Sequence, residues 1–505
     1  MIEIIGPLAH DAVTPAGKPL PLQKQLIGRL QQAILAGRLP AGALLPSSRL
    51  LAAELGVSRN TVVIAYDHLV AEGYVLADRK GTRVSPLSSP ASRADARPDP
   101  ATGEVAYAAR LEPFAALHPH AGRPYSGGMA VLMPGTPALD RFPLGAWRRS
   151  LERAMERALP HLLGYGEPAG EPALRDAIAA HLRVARGVRC DGSQVVITEG
   201  AQEALNLCVS LLTNPGDIAW VEDPGYRGAK AAFNLGDLKT VPIRVDHEGM
   251  AVPPDAWRAS PPKLIYTSPA HQYPTGAVLS VARRLELIAQ ARRAGAWLVE
   301  DDYDGEFRHT GEPIASMQGL VPDAPVLYIG SFSKTMFPAL RIGFVVLPRS
   351  MVAHTHTPLQ EMLRGGHRLE QWALANFIES GEFGRHLGRM RRLYRERQQA
   401  LREALAAHFE PAQILGGNCG MHLTLRLPPH ISDRAVVDLA QQQRISARAL
   451  SGFTLRPHDE DNGLVIGYGN TPAEQIGTAV GSLAQYAREV AGTARPRRRV
   501  AGAKA

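Results

Sequence analysis

VLYIGSFSKTMFPALRIGF, residues 326–344, is the stretch from which the fold of this chain can be predicted. Its apolar beginning, up to Gly330, predicts a buried strand that ends in a turn. A few polar side chains follow in a segment otherwise poor in charge: Ser331, Ser333, Lys334 and Arg341. A lysine among apolar neighbours can lose its proton near neutral pH and form a Schiff base, and hydroxyls with a guanidinium suit a phosphate. The stretch therefore indicates a phosphate-bearing aldehyde cofactor, although Ser-x-Ser-Lys alone is also compatible with a surface lysine at a strand end.

Apolar, strand-like runs alternate with helical patterns on both sides of this stretch, which predicts a doubly wound α/β domain. The predicted strands are residues 194–198, 218–222, 263–267, 297–300, 326–329 and 342–347. Ligands of such a domain bind at the carboxyl ends of its strands. The residues that follow each strand are therefore the candidates for a binding site.

The ends of the earlier strands carry residues that suit a phosphorylated ring. A turn at Gly200 and Ala201 opens a helix, whose free backbone N–H groups can bind phosphate. Tyr226, in a later turn, could stack on a planar ring. The acidic run at 300–306 ends a buried strand, which is unfavourable unless a carboxylate meets a cation such as a protonated pyridine nitrogen. Each feature has a structural explanation alone, but their order ahead of Ser-x-Ser-Lys favours a cofactor site.

Near the N-terminus, LPSSRLLAAELGVSRNTV at residues 45–62 predicts two short helices joined by a Gly-containing turn. We expect a helix over 20–36, one over 48–55 and one over 58–72, with Ser47 and Ser58 as N-caps. Residues 74–84 then predict two strands joined by a polar turn. The pattern indicates a winged helix-turn-helix, with a three-helix module of solvated charges as the alternative.

The second helix of such a motif lies in the major groove with its first residues facing the bases. Four residues there can hydrogen-bond to bases or phosphates: Ser58, Arg59, Asn60 and Thr61. Lys80 and Arg83 in the polar turn are placed to contact the DNA backbone. A net charge of +8 weakly supports a polyanionic partner.

The length and composition predict several parts. A chain of 505 residues is too long for one core. We expect a DNA-binding domain over 17–85, a Pro- and Ser-rich flexible linker over 86–128, an α/β domain over 129–490 and a basic disordered tail over 491–505. The cysteines form no CxxC pair, so we expect neither disulfides nor a metal. Because no leader peptide or membrane-spanning run is evident, we expect a cytoplasmic protein without membrane contact.

The N-terminal domain resembles the GntR-type winged helix, most specifically in LPSSRLLAAELGVSRNTVVIAYDHLVAEGYV at 45–75. The resemblance implies binding to a double-stranded DNA operator. The residues that it implies as DNA contacts are Arg49, Ser58, Arg59, Asn60, Thr61, Lys80 and Gly81.

From Met129 to about Tyr486 the chain resembles fold-type I enzymes of the aminotransferase class, whose cofactor is pyridoxal 5′-phosphate. The fold class implied is α/β, with a mostly parallel sheet and a smaller C-terminal α+β subdomain. The resemblance makes Lys334 the Schiff-base lysine and pairs Asp301 with the pyridine nitrogen. The remaining contacts that it implies are Tyr303 on the ring hydroxyl, Tyr226 on the ring face, Gly200, Ala201, Ser331, Ser333 and Arg341 on the phosphate, and Tyr165 on a partner's cofactor.

Two departures from the enzymes argue against ordinary amino-acid turnover. Tyr273 replaces the asparagine of the usual Asn-Pro-Thr-Gly loop. The arginine that clamps a substrate carboxylate is missing from residues 464–468, which read LVIGY where a pattern such as Ile-Arg-Ile-x-Phe is expected. Either Arg456 or Arg448 is the candidate for binding an effector carboxylate instead.

Both halves together, with SPAHQYPTG, EDDYDGEF and SFSKTMFPALRIGF in that order, are similar to the MocR/GabR-type transcriptional regulators. That resemblance implies a domain-swapped homodimer that senses pyridoxal phosphate itself or an amino compound through an aldimine at Lys334. We expect a regulator rather than an enzyme, with at most partial transamination. The alternatives are an active aminotransferase with an accessory DNA-binding domain and an aminotransferase fold that serves only as a dimerising scaffold.

Overall fold

The computed structural model describes residues 1–9, 19–86, 130–156, 163–311, 314–363 and 365–493. The chain divides into two compact units, residues 1–106 and residues 107–505. Nearly all of the predicted linker 86–128 lies outside the described residues, as does the predicted tail from 494 onward.

The first unit is a winged helix, as predicted. Its helices are Ile2–Ile5, Leu22–Leu35, Ser48–Leu55 and Arg59–Ala71, and its hairpin is β1 (Val75–Asp78) with β2 (Gly81–Val84). Ser47 caps one helix by accepting a hydrogen bond from the Leu50 backbone N–H. Gly56 ends that helix in the left-handed conformation, at φ 66°, which glycine adopts without strain. The chain therefore turns sharply between the helices Ser48–Leu55 and Arg59–Ala71, as the sequence predicts.

A compact apolar core holds these helices together. Leu26, Leu30, Leu51, Val62 and Leu69 are fully buried in it. Residues before the predicted domain boundary also pack here, since Ile5 belongs to the same core. The helix Arg59–Ala71 thus lies on a well-packed support.

The second unit is built on a sheet in the order β3-β10-β9-β8-β7-β4-β5-β6. The strands are β3 (Val195–Thr198), β4 (Ile218–Asp223), β5 (Lys239–Asp246), β6 (Gly249–Met250), β7 (Leu264–Thr267), β8 (Trp297–Asp302), β9 (Val326–Ser331) and β10 (Gly343–Val346). The adjacent strands β9, β8, β7, β4 and β5 run parallel to one another, while β10 runs antiparallel to both β9 and β3. The mostly parallel sheet and all six predicted strands are confirmed, whereas β5 and β6 were not predicted.

Helices cover both faces of this sheet. Alternation along β3 shows this, because Val195 and Ile197 join one apolar cluster while Val196 joins another. The helices before the last strand of the sheet are Leu144–Glu156, Pro172–Ala185, Ala201–Leu212, Arg227–Leu235, Ala256–Ala259, Val281–Ala294, Met317–Leu320 and Phe332–Thr335, and those after it are Arg349–Met362, Arg368–Glu379 and Glu382–Ala406.

A smaller α+β subdomain follows at the C-terminal end, as predicted. Its antiparallel sheet has the order β11-β12-β14-β13. Its strands and helices are β11 (Ile414–Leu415), β12 (His422–Arg426), helix Asp433–Gln442, β13 (Arg448–Ala449), β14 (Gly463–Gly467) and helix Ala473–Thr493. Among the described residues, no helix combines the length and the apolar character needed to cross a membrane.

Candidate functional site

Lys334 lies in the short helix that follows β9. Ser331 begins this helix, because its Oγ accepts a hydrogen bond from the Ser333 backbone N–H at 3.1 Å. The Lys334 Nζ donates to the Gly135 carbonyl at 2.7 Å, and a Cβ at Gly135 would lie 3.3 Å from that nitrogen. Burial lowers the pKa of Lys334, and Asp304 and Asp301 oppose this effect. The amine is thus held in a site that favours its neutral, nucleophilic form.

Asp301 lies near the end of β8, next to β9. Its Oδ2 accepts a hydrogen bond from the Tyr266 hydroxyl at 2.7 Å. Its Oδ1 is buried and has no partner. Burial raises the pKa of Asp301 to about 7. A buried carboxylate oxygen without a partner is costly, so a cationic group bound here would complete the site.

Aromatic rings enclose the same region. The Tyr273 ring meets the Tyr226 ring edge-on at 6.4 Å and the Tyr303 ring edge-on at 5.9 Å. Tyr226 also stacks against Tyr266, the residue that binds Asp301. The Tyr303 hydroxyl lies 3.0 Å from Nδ1 of His271. Tyr226, Tyr273 and Tyr303 therefore share one pocket with Asp301.

The register of β10 brings the predicted phosphate-binding residues together. Gly343 pairs with Thr198 on one side and with Ser331 on the other. A Cβ at Gly343 would lie 2.7 Å from the Gly200 Cα, so only glycine allows this approach. Gly200, at φ 89°, opens the helix Ala201–Leu212. Gly343 thus lies between the N-terminus of that helix and Ser331 at the end of β9. This arrangement suits an anion.

Arg341 reaches the same helix terminus from a strained turn. Its backbone is left-handed at φ 53°, a conformation that is costly for a residue with a side chain. Its Nη2 donates to the Glu199 carbonyl at 2.6 Å. A Cβ at Gly200 would lie 3.5 Å from its Nη1. The turn therefore directs the guanidinium to the helix N-terminus.

The structure separates the two candidate carboxylate-binding arginines. The Arg456 backbone N–H donates to Asp223 at 3.0 Å, and its side chain is exposed. Arg448 in β13 is electrostatically coupled to Tyr273 and to Arg227. The charge of Arg448 therefore acts on the aromatic pocket, although its side chain is exposed, as is that of Arg456. Tyr165 is 90% exposed in the single chain.

The predicted DNA-contact residues lie at the start of the helix Arg59–Ala71, in the preceding helix Ser48–Leu55 and in the hairpin turn. The side chains of Arg49, Arg59, Asn60 and Lys80 are exposed. Ser58 instead caps the helix, since its Oγ accepts from the Thr61 backbone N–H at 3.1 Å and lies 2.9 Å from the Thr61 hydroxyl. Gly81 has φ 125°, a backbone conformation that residues with a side chain rarely adopt, which explains a glycine at this position.

Comparison with known proteins supports the predictions for both the N-terminal domain and the larger α/β domain. The family model for bacterial regulatory proteins of the gntR family matches residues 22–84, and the model for aminotransferases of class I and II matches residues 135–483. The probable rhizopine catabolism regulatory protein MocR of Rhizobium meliloti is 36% identical over 467 residues, covering 92% of this chain and 93% of that protein. This chain belongs to the MocR-type family of transcriptional regulators.

Two further relatives define the MocR-type architecture of the chain. The pyridoxine biosynthesis transcriptional regulator PdxR of Corynebacterium glutamicum is 32% identical over 456 residues, covering 90% of this chain and 93% of that protein. A kynurenine aminotransferase of Pyrococcus horikoshii, crystallised with PMP, is 25% identical with a TM-score of 0.66, covering 76% of this chain and 95% of that chain. The protein is therefore a DNA-binding transcriptional regulator with an aminotransferase-like domain.

Sequence reasoning missed two residues of this MocR-type site. Arg227 follows Tyr226, and its buried Nε has no partner. Burial and the neighbouring Arg448 lower the pKa of Arg227. His271 was noted only as part of a motif, yet it bonds both Tyr303 and Asp304. Their positions in the sequence could have identified both residues, because Arg227 begins the helix after β4 and His271 lies in the polar loop after β7.

One cluster bears on the prediction that the protein holds no metal. The described residues include a group of His271, Asp304 and Cys419 whose ligand-type atoms lie within 4.8 Å of one another. The Nδ1 of His271 is already 2.9 Å from Asp304, as in a hydrogen bond. The hydrogen bond accounts for this pair, and the absence of a metal stays a prediction.

Proposed function

We propose that this MocR-type regulator binds pyridoxal 5′-phosphate at Lys334 and controls transcription according to the occupancy of that site. The observation that carries the proposal is the buried, unpartnered Oδ1 of Asp301 in the same pocket as a lysine of lowered pKa. A protonated pyridine nitrogen is a cation that Asp301 can bind. Without such a cation, Oδ1 of Asp301 stays buried without a partner, and only Oδ2 is compensated by the Tyr266 hydroxyl.

The other residues fit the rest of the cofactor. Tyr226 offers a ring face for stacking, and Tyr303 offers a hydroxyl to a ring oxygen. The phosphate would be held by Arg341, by Ser331 and Ser333, and by the backbone at Gly200 and Ala201. When bound, the cofactor supplies an aldehyde carbon that condenses with primary amines. Lys334 provides the first such amine, and an amino-compound effector would compete with it.

A carboxylate on the effector would be bound by Arg448, with Arg227 beside it. Both arginines lie near Tyr273, at the side of the pocket formed by the C-terminal subdomain. Two cations without a carboxylate partner repel each other, and the lowered pKa of Arg227 reflects this repulsion together with burial. An anionic group placed between them would relieve it. An amino acid is the simplest effector that satisfies Lys334 and this pair.

Regulation requires coupling between the cofactor site and the DNA-binding helix. We infer a cytoplasmic homodimer in which each winged helix crosses to the partner, and in which the exposed Tyr165 approaches the partner's cofactor. The bound effector changes the placement of the two DNA-binding helices only to the extent that it binds one arrangement more tightly. The effector, either pyridoxal phosphate or an amine, is the compound that binds one of the two arrangements more tightly than the other.

An active aminotransferase is the second candidate function. The kinship with enzymes of this fold favours it. The replacement of the usual carboxylate arginine counts against it, because Val465 is fully buried in β14 at that place. Steady conversion of an amino donor and a keto acceptor by the purified protein would establish it.

The test of cofactor binding is an absorbance titration of the purified protein with pyridoxal phosphate. We expect a saturable visible band that differs from the spectrum of the free aldehyde. A spectrum equal to the sum of protein and free cofactor would reject the proposal and favour the scaffold alternative.

Arg448→Ala is expected to weaken the spectral response to an amino acid that carries a carboxylate by about 10-fold or more, because a charge-assisted contact is lost. The response to the matched amine without a carboxylate should change little. Arg456→Ala is the control, because the Arg456 contact to Asp223 is made by its backbone N–H, which the substitution keeps. Equal losses for the two variants would remove Arg448 from the effector site.

A further inference from the structure

His271 occupies a buried position behind the pocket. Its Nδ1 lies 2.9 and 3.1 Å from the two carboxylate oxygens of Asp304 and 3.0 Å from the Tyr303 hydroxyl. The rings of His271 and Tyr303 are nearly parallel, with 25° between their planes. The other ring nitrogen, Nε2, is buried and has no partner. Nδ1 of His271 therefore contacts both the Asp304 carboxylate and the Tyr303 hydroxyl.

The identity of these groups determines where the protons lie. A carboxylate only accepts hydrogen bonds, so the pair requires a hydrogen on Nδ1 of His271. A nitrogen that carries this hydrogen cannot also accept one from Tyr303. The Tyr303 oxygen therefore accepts a share of the same N–H, and its own hydroxyl hydrogen must be donated elsewhere. Asp304 thus fixes the tautomer of His271, and His271 fixes the direction of the Tyr303 hydroxyl.

The other titratable groups around His271 do not disturb this arrangement near neutral pH. The His422 ring lies 4.7 Å away, and burial lowers the pKa of His422 to about 3. Burial also lowers the pKa of His309. The Cys419 thiol lies 3.8 Å from the Asp304 carbonyl, and burial raises its pKa. Asp304 is therefore the partner that sets the state of His271.

We propose that His271, held by Asp304, is a positioning residue that makes Tyr303 a hydrogen-bond donor to the ring oxygen of the bound cofactor. This inference rests on the proposed function, because it needs the cofactor in the pocket. A hydrogen bond donated to that oxygen favours its ionised form. The relay from Asp304 through His271 to Tyr303 thereby sets the pH at which the bound cofactor changes its absorbance.

The test is a double-mutant cycle on that pH midpoint, measured by absorbance on the loaded protein. Tyr303→Phe removes the donor and is expected to raise the midpoint by about one to two pH units, the size of a hydrogen bond to a charged oxygen. In a His271→Leu background, the same Tyr303→Phe change should shift the midpoint by less than about half a unit, since Nδ1 no longer holds the Tyr303 oxygen in place.

Asp304→Leu gives a second background with a side chain of similar size. Leucine cannot accept from Nδ1, so the histidine hydrogen can move to Nε2 and Tyr303 can donate to His271 instead of the cofactor. The Tyr303→Phe shift should again shrink. Because the cycle compares two proteins with the same residue at position 304, the loss of the Asp304 charge cancels.

His386→Leu is the matched control background. His386 is also a buried histidine, and its Nε2 contacts the Thr335 carbonyl beside Lys334, but no hydrogen bond joins it to Tyr303. The full Tyr303→Phe shift is expected there. A full shift in the His271→Leu or Asp304→Leu background would overturn the positioning role and leave the proposed function intact. A wild-type protein without cofactor absorbance would overturn both.

Discussion

Lys334→Ala is expected to abolish the visible absorbance that pyridoxal phosphate produces with the wild-type protein. The amine of Lys334 lies in the pocket with Asp301, and burial lowers its pKa. The alanine variant should retain its fold, because the lost contact is one hydrogen bond to Gly135. Circular dichroism and the melting temperature check the fold, and the absorbance titration checks the cofactor. Undiminished absorbance would show that the cofactor attaches elsewhere.

Lys230 provides the matched control for this experiment. It is also a buried lysine, and burial lowers its pKa to about 8. Its amine donates to the Phe453 carbonyl and lies 3.6 Å from Asp223. We therefore expect Lys230→Met to retain the absorbance. Reduction with borohydride followed by peptide mapping should find the modified lysine at 334, and a modification at 230 would contradict the site.

Arg59→Ala is expected to weaken operator binding by about 1–3 kcal/mol, the value of a side chain that reads a base. Arg59 is the first residue of the helix Arg59–Ala71 and is exposed, so its removal leaves the core unchanged. Its Nε lies 3.4 Å from the Ser48 hydroxyl, which steadies the side chain before DNA binds. The measurement is an operator-binding isotherm at fixed salt.

Lys80→Ala separates base reading from phosphate contact. Lys80 is exposed in the hairpin turn and is expected to contact phosphate. Its loss should weaken binding to all sequences alike and reduce the slope of log affinity against log salt by about 1. Arg59→Ala should leave this slope nearly unchanged while reducing the preference for the operator. An unchanged operator affinity for Arg59→Ala would remove Arg59 from the base-reading residues.

Local pattern predicted most of the fold because the relevant strands are buried and bounded by turns. Strand β5 was missed because Lys239–Asp246 contains Pro242 and charged residues, which usually mark a loop. Proline is tolerated there because β6 pairs with β5 only at Val245 and Asp246, so most of β5 has a free edge. The two-residue β6 has no sequence signal of its own.

The place of the candidate site could be predicted in outline, because most of its residues lie at or just after the ends of predicted strands, and the parallel strands bring these ends together. Contacts between distant segments were not predictable. The bond from Lys334 to Gly135 depends on how the residues before the sheet fold back onto it. The pairing of His271 with Asp304 likewise depends on side-chain positions in two separate loops. The N-cap role of Ser58 was predicted and is confirmed, and its contact with DNA stays a prediction.

Operator affinity with and without pyridoxal phosphate, measured for the wild type and for Lys334→Ala at one salt concentration, tests the central claim most directly. A regulator that responds through Lys334 must bind its operator with different affinity in the two states, by about 1–3 kcal/mol for a typical coupling. The alanine variant should show one affinity under both conditions. Equal wild-type affinities with and without the cofactor and a candidate amine, or an undiminished difference in the variant, would contradict the account.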